Sequence, residues 1–394
     1  MSANPTPTDR PEPDAVAGPD RPDAPEATPR QPALFQPLTI RGLTIRNRVW
    51  VPPLCQYSVT DRDGVPHDWH LVHLGAMAAG GAGLVVAEAT AVSPEGRISD
   101  YDTGLWNDEQ AEAWSRITRF IRSQGAASGI QLAHAGRKAS VWPEPLRRPG
   151  SQPLEDGGWP TVSASAVALD GLREPTALDE AGIQQVIDDF RSAARRAVAA
   201  GFDVVEVHAA HGYLVHQFLS PLSNRRDDRW GGSLENRARL LLELVRGVRL
   251  EIGERMPLFV RFSATDWAEG GWDEEQTAIV AGWAQDAGAD FFDVSTGGLV
   301  AHARIPVGPG YQAHLAEYVG DRADVPVSEV GRITMPEQAE RLVADGEVDA
   351  VMFGKAMMRD PHFALRAAYE LGADPSMWPP QYLRARPEAN DGEW

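Results

Sequence analysis

From Leu34 onward the chain repeats one pattern: a short run rich in β-branched residues, then an amphipathic stretch of helical period. The runs are RVWVPPL (48–54), GLVVAEAT (83–90), GIQLAHA (129–135), DVVEVHA (203–209), LFVRFSA (258–264), DFFDVST (290–296), VPVSEV (325–330) and DAVMFG (349–354). Helical patterns lie between them, among them AEAWSRITRFIRSQ (111–124), DEAGIQQVIDDFRSAARRAVAAG (179–201), ENRARLLLELVRGV (235–248) and MPEQAERLVADG (335–346). A strand that must pair in parallel with the next needs a helical crossover, so eight such units predict an α/β fold of the (β/α)8 TIM-barrel type over 34–394. A doubly wound open sheet is the alternative, and no Gly-x-Gly-x-x-Gly at a strand-to-helix turn supports it.

A length of 394 residues suits one large barrel, and a hydrophobic content of 43% marks a globular chain. Residues 1–33 differ: they are dense in Pro, Ala, Asp and Thr, lack apolar periodicity, and cannot bury enough surface to offset their ordering entropy, which predicts a disordered tail. The tail is acidic and has no apolar centre, unlike a targeting peptide, and no apolar run in the chain is long enough for a membrane helix. The expectation is a soluble cytoplasmic protein with no membrane partner. A formal net charge of -19 repels phosphate backbones and argues against nucleic acid. The single cysteine, Cys55, excludes an internal disulfide and a cysteine-rich metal cluster.

In a barrel of this type chemistry sits where the strands end, at the C-terminal face. The first strand leads into Cys55, Gln56 and Tyr57, the second ends near Glu88, and the third carries Gln131 and His134. The fourth carries Glu206, His208 and His211, the fifth Arg261, the seventh runs into Gly331 and Arg332, and the eighth gives Gly354 and Lys355. The segment DVVEVHAAHGYL (203–214) admits three readings. His208 and His211 are metal ligands with Glu206 or His134 as a third, although i, i+3 spacing across two alanines departs from the zinc-binding helix. They are scaffold histidines, or they bind a ligand. Two imidazole N–H groups aimed at one oxygen are the chemistry of carbonyl activation, and Tyr213 could then supply a proton. Arg261 is either the buried ion-pair partner of Glu206 or Asp266, or a fixed cation beside a ligand that turns negative. Gly331 and Gly354 either close turns or hold a phosphate through backbone N–H groups.

Six stretches carry a resemblance: RNRVWVPPLCQY (46–57), VAEATAVSPEGRI (86–98), GIQLAHAGRKAS (129–140), HAAHGYLVHQFLSPLSNRRDDRWGGSLENRARLLLE (208–243), VRFSA (260–264) and FGKAMMRDPH (353–362). In this order, from about Leu34 to the C-terminus, they resemble the Old Yellow Enzyme family of flavin-dependent ene-reductases, in particular its xenobiotic reductase and thermophilic-type branch. The resemblance implies noncovalent FMN at the barrel mouth, reduced by NADPH or NADH, which passes hydride to the β-carbon of enones, enals, maleimides or nitro compounds in a ping-pong cycle. It implies that Pro53, Cys55, Ala87, Gln131 and Arg261 line the flavin ring, and that Gly331, Arg332, Gly354 and Lys355 hold its phosphate. His208 and His211 would bind the substrate oxygen, Tyr213 would protonate the α-carbon, Cys55 would also contact substrate, and Tyr57 would close the pocket. WPPQYLRAR (378–386) is similar to a segment that reaches into a neighbouring subunit, with Arg384 as the inserted residue, which implies a homodimer or larger homo-oligomer; the alternative is a solvated arginine on a frayed tail.

Departures from the family pattern are Lys355 where an arginine is usual, which keeps the charge and loses the bidentate fork, and Val307 in IPVGPGY (305–311) where an aromatic residue is common, which widens the expected pocket. Larger relatives with iron–sulfur domains are disfavoured by length and by the single cysteine. Two other classes stand beside the reductase: a metal-dependent barrel hydrolase using His208, His211 and Glu206, and a catalytically idle flavin-binding protein.

Overall fold

A computed structural model describes Met1 and residues 31–387. The disordered tail expected over 1–33 therefore falls, for residues 2–30, outside the described residues. The compact unit begins at Gln31. Gln31–Ala33, placed in the tail on composition, belong to it, because the Glu340 carboxylate accepts the backbone N–H groups of Ala33 and Leu34 at 2.9 and 2.8 Å.

Eight parallel strands close into a barrel. They are β1 (Val49–Val51), β2 (Leu84–Ala91), β3 (Ala127–Ala133), β4 (Val204–Ala209), β5 (Leu258–Ser263), β6 (Phe291–Ser295), β7 (Val327–Glu329) and β8 (Ala350–Met352), each falling within or beside one of the expected runs. Every strand pairs with its sequence neighbours, and β8 pairs with β1. The crossovers hold α1 (Asp68–Ala79), α2 (Asp108–Ser123), α3 (Glu180–Ala199), α4 (Leu234–Ile252), α5 (Glu274–Asp286), α6 (Ala313–Ala323) and α7 (Pro336–Ala344), and α8 (Phe363–Glu370) follows β8. Helix starts are written locally: Asn107, Asp179, Ser233 and Asp273 each accept a backbone N–H of the first turn. No helix among the described residues is long and apolar enough to cross a membrane.

The strands are buried on both faces, which explains their near-continuous apolar character. A hairpin, Leu38–Ile40 with Leu43–Ile45, packs Ile40 and Ile45 against Trp50, Phe259, Phe291 and Met352 at the N-terminal end of the barrel. The rings of Trp50, Phe259 and Phe291 lie 4.8 to 5.8 Å apart, and the Trp50 indole N–H donates to Asn47 O at 2.9 Å. This end is filled with carbon. One layer up the filling turns polar, where His208, Arg261, Asp293 and Ser328 share a single register row across β4 to β7.

Candidate active site

The polar row sets the electrostatics of the barrel mouth. Arg261 Nε lies 2.9 Å from Asp293 Oδ2, both side chains being buried. The partner is Asp293, on the adjacent strand in register, and not Asp266. Asp266 instead faces His216 Nε2 at 3.0 Å. Glu206 sits one turn of the β pleat below His208, and its Oε1 accepts the Gln131 amide at 2.7 Å. Burial, reinforced by Asp293, pushes the Glu206 carboxyl up to about 8 against the pull of Arg261, and burial also raises Asp293. With Glu329 on β7, which burial and Asp293 also push up to about 8, the region holds three reluctant carboxylates and one obligate cation.

The loop after β4 places His208, His211 and Tyr213 together. The two imidazoles meet edge to face with centroids 5.2 Å apart, and the Tyr213 ring meets His208 at 5.0 Å. His208 Nδ1 accepts the Ala210 N–H at 3.3 Å, which leaves the proton on Nε2. Burial first, then the charges of Arg261 and Lys138, keep both histidines well below their ordinary range and therefore neutral. His211 Nε2 lies 2.8 Å from Ser295 Oγ. Burial raises the Tyr213 phenol well above its ordinary value.

This loop is held by neighbours rather than by its own sequence. His211 adopts a left-handed φ of 58° and Gly212 one of 72°. A Cβ on Gly212 would meet Gly298 O at 2.3 Å, so only glycine fits. Lys138 Nζ donates to His211 O at 2.7 Å and to Gly298 O at 2.9 Å, and stands 4.8 Å from the Tyr213 ring centroid. Gln217 donates to Gly212 O and Ala135 O, and Gly212 N donates to His216 Nδ1, whose Nε2 faces Asp266. The GGSxENRxR stretch is scaffold: Ser233 caps α4, and Arg237 donates to Leu219 O and Gln276.

The loop after β1 brings Cys55 and Tyr57 beside Tyr213, on a floor of small residues that includes Ala89, Ala133, Ala135 and Ala139. Tyr57 has a left-handed φ of 51°. Glu88, at a register shift in β2, turns away from the mouth toward α1: it accepts the Gln56 N–H at 2.8 Å and faces His70 Nε2 at 3.2 Å. Burial, then Glu88 and Asp102, push the Cys55 thiol up, so it stays protonated.

Next to these groups opens a cavity of about 690 Å3. Pro52, Pro53, Leu54 and Met352 give it apolar surface, Arg261 and Ser295 line it from the barrel strands, and Arg332, Lys355 and Arg359 line it from the segments after β7 and β8. Those three cations are exposed and have no ion pair among the described residues. Of the residues expected to bind a cofactor, Pro53, Arg261, Gly331, Arg332, Gly354 and Lys355 line this cavity, whereas Ala87 and Gln131 are buried in the barrel wall and Cys55 sits beside it. Val307 lies on the rim, and Tyr311, four residues on, supplies an aromatic wall that sequence reading did not foresee. Arg384 is exposed on the 3-10 segment Pro380–Ala385 and does not line the cavity of its own chain. Lys138, Ser295, Gln312 and Arg359 were missed. Arg359 had a signal, its i+4 spacing from Lys355, and Lys138 had another, as one of two lysines in the chain. Among the described residues no three His, Cys, Asp or Glu side chains converge as a metal site requires.

The family model described as NADH:flavin oxidoreductase / NADH oxidase matches residues 33–374. An NADPH dehydrogenase of Listeria welshimeri is 44% identical over 353 residues, 89% of this chain and 98% of the relative. An NADPH dehydrogenase of Bacillus subtilis is 41% identical over 342 residues, 86% of this chain and 96% of the relative. Among solved structures, morphinone reductase superposes with a TM-score of 0.72 at 31% identity, covering 88% of this chain and 93% of its own.

Proposed function

The chain belongs to the NADH:flavin oxidoreductase / NADH oxidase family, the Old Yellow Enzyme group, and from that premise we propose that it is an FMN-dependent ene-reductase using NADPH or NADH. Its substrates on this reading are activated alkenes, namely enones, enals, maleimides and nitro compounds, reduced in a ping-pong cycle. The observation that carries the reading is the pairing of two neutral imidazoles and a protonated phenol with a cavity lined by three cations that have no ion pair among the described residues.

The cavity suits a flat ring bearing a phosphate tail. Its volume is in the range of cofactor sites, and its lining combines apolar surface with those three cations. A Cβ at Gly331 would meet Glu329 Oε1 at 2.8 Å, so a larger residue there would push into the chain's own side chains. Pro53 and Arg261, which line the cavity, would hold the ring, with Ala87 and Gln131 behind them in the barrel wall and Cys55 beside them, and Gly331, Arg332, Gly354 and Lys355, joined by Arg359, would hold the phosphate. When bound, the flavin supplies a two-electron carrier between nicotinamide and alkene. Arg261 would hold a positive charge beside the bound ring. His208 and His211 donate to the substrate oxygen and draw electron density from the β-carbon, and Tyr213 gives its proton to the α-carbon. Tyr57 closes over the substrate. Arg384, exposed on its own chain, fits insertion into a second copy, which would make the protein at least a homodimer.

An anaerobic visible spectrum tests the whole reading. NADPH should bleach the flavin and one addition of 2-cyclohexenone should restore it; bleaching without recovery would remove the alkene chemistry, and no bound flavin after reconstitution would remove the cofactor assignment. Tyr213→Phe should slow reoxidation by the enone by about 10-fold or more, water competing as proton source, and leave reduction by NADPH unchanged. Equal slowing of both half-reactions would make Tyr213 structural. Lys355→Met should weaken FMN binding by about 10-fold, the scale of one charged hydrogen bond, in a fluorescence titration of the apoprotein. An unchanged Kd would take Lys355 out of the phosphate site.

A further inference from the structure

A second hollow has Tyr57 in its wall and lies against the excursion between β3 and α3. It measures about 340 Å3, and Tyr57, Val141, Trp142, Glu144, Arg147 and Arg148 line it. The Arg148 guanidinium lies 4.5 Å from the Trp142 ring centroid, so an aromatic plane and a cation already form one wall. Arg147 follows the 3-10 turn Glu144–Leu146 in a left-handed conformation, φ 51°, a backbone state that costs free energy in a residue with a Cβ. Both arginines are exposed and neither has an ion pair among the described residues, although the chain carries 56 Asp and Glu and Glu144 lines the same hollow. Two guanidinium groups against one carboxylate leave a net positive charge on a strongly acidic protein.

We propose that this hollow binds the ribose-phosphorylated adenosine end of a long ligand whose other end enters the barrel mouth past Tyr57. Trp142 offers a surface for a purine, and Arg147 with Arg148 offers the charge and fork geometry that phosphate recognition needs. A small alkene has no adenosine end to place here. A dinucleotide and a coenzyme A thioester do; both carry an adenosine diphosphate with a further phosphate on the ribose, at the 2′ position in NADPH and at the 3′ position in the thioester. The three cations at Arg332, Lys355 and Arg359 lie at the other cavity, next to β7 and β8, and are assigned to the flavin phosphate, so the two anion sites are separate. The inference rests on the reductase reading for its meaning, and on the hollow itself for its binding.

Calorimetric titration of the FMN-loaded protein with 2′,5′-ADP, 3′,5′-ADP and 5′-AMP tests it directly. At least one bisphosphate should bind about 10-fold more tightly than 5′-AMP, and the double variant R147A/R148A should lose about 10- to 100-fold of that affinity at unchanged flavin content. Preference for 2′,5′-ADP identifies the reductant as the occupant and predicts a raised KM for NADPH with the KM for NADH unchanged. Preference for 3′,5′-ADP identifies a coenzyme A thioester. W142A, which keeps both charges, should weaken all three nucleotides alike. The proposal is overturned if neither bisphosphate outbinds 5′-AMP or if R147A/R148A binds as the unmodified protein does. Should NADPH and NADH both fail to bleach the flavin while arginine-dependent nucleotide binding persists, the proposed function falls and this site stands.

Discussion

His208→Ala lowers enone turnover by about 10²- to 10³-fold, the loss that follows from removing one donor to a developing oxyanion in a site shielded from water. The protonation state makes the ring a donor and nothing else. Its Nδ1 is taken by the Ala210 N–H, so the single proton of the neutral ring sits on Nε2. Burial and the nearby Arg261 and Lys138 keep the ring from charging. The alkene half-reaction should accordingly show no break near pH 6.5 from either histidine. His211 keeps its own contact but cannot move to supply the missing one, because Ser295 positions its ring and Lys138 holds its backbone. Affinity for a phenol, whose oxygen uses the same donor, should fall in parallel, and reduction by NADPH should be spared. Turnover and phenol binding both close to the unmodified values would end the assignment of His208 to the substrate oxygen.

What the sequence made legible follows from distance along the chain. The eight strands announce themselves because apolar runs of strand length alternate with helical periods, and both signals are local. The mouth residues at strand ends were readable for the same reason: once β4 is placed, His208 lies at its end and Tyr213 in the turn beyond. Partnerships across strands were not readable. Arg261 has an acidic neighbour in Asp266 along the chain, yet barrel register sets it against Asp293, 32 positions away, while Asp266 serves the histidine that braces the β4 loop. Lys138 likewise acts on carbonyls at His211 and Gly298, which no spacing rule connects. The GGSLENRAR segment (231–239), part of the longest stretch that carries the resemblance, caps and braces a helix rather than lining the cavity. Specificity of a motif and nearness to chemistry are separate properties.

The largest effect on stability is expected from Arg261→Met. Breaking one side of a buried ion pair costs about 3–5 kcal/mol, because the partner charge stays behind in a medium that solvates it poorly. Here two partners stay behind, since Arg261 is the cation that pulls down both Asp293 and Glu206. The pH dependence has a definite sign. Burial already holds Glu206 at about 8, above its unfolded value of 4.5, so the folded chain keeps a proton that the unfolded chain releases between those limits. Stability from this group is full below pH 4.5 and is lost as pH rises to about 8, at no more than about 1.4 kcal/mol per pH unit for each carboxyl. Without Arg261 both carboxyls rise further. The variant should thus lie close to the unmodified protein at pH 5, where protonated carboxyls tolerate burial, and fall well below it at pH 8. Thermal unfolding across that range measures the difference, and Asp293→Asn in the same background should restore part of the loss at pH 8. Equal destabilisation at pH 5 and pH 8 would mean that Arg261 contributes packing and not charge. The same substitution should make the flavin harder to reduce, because the fixed charge beside the ring is gone. A loss of stability without a lower midpoint potential would separate the two roles of Arg261 and leave it a scaffold residue alone.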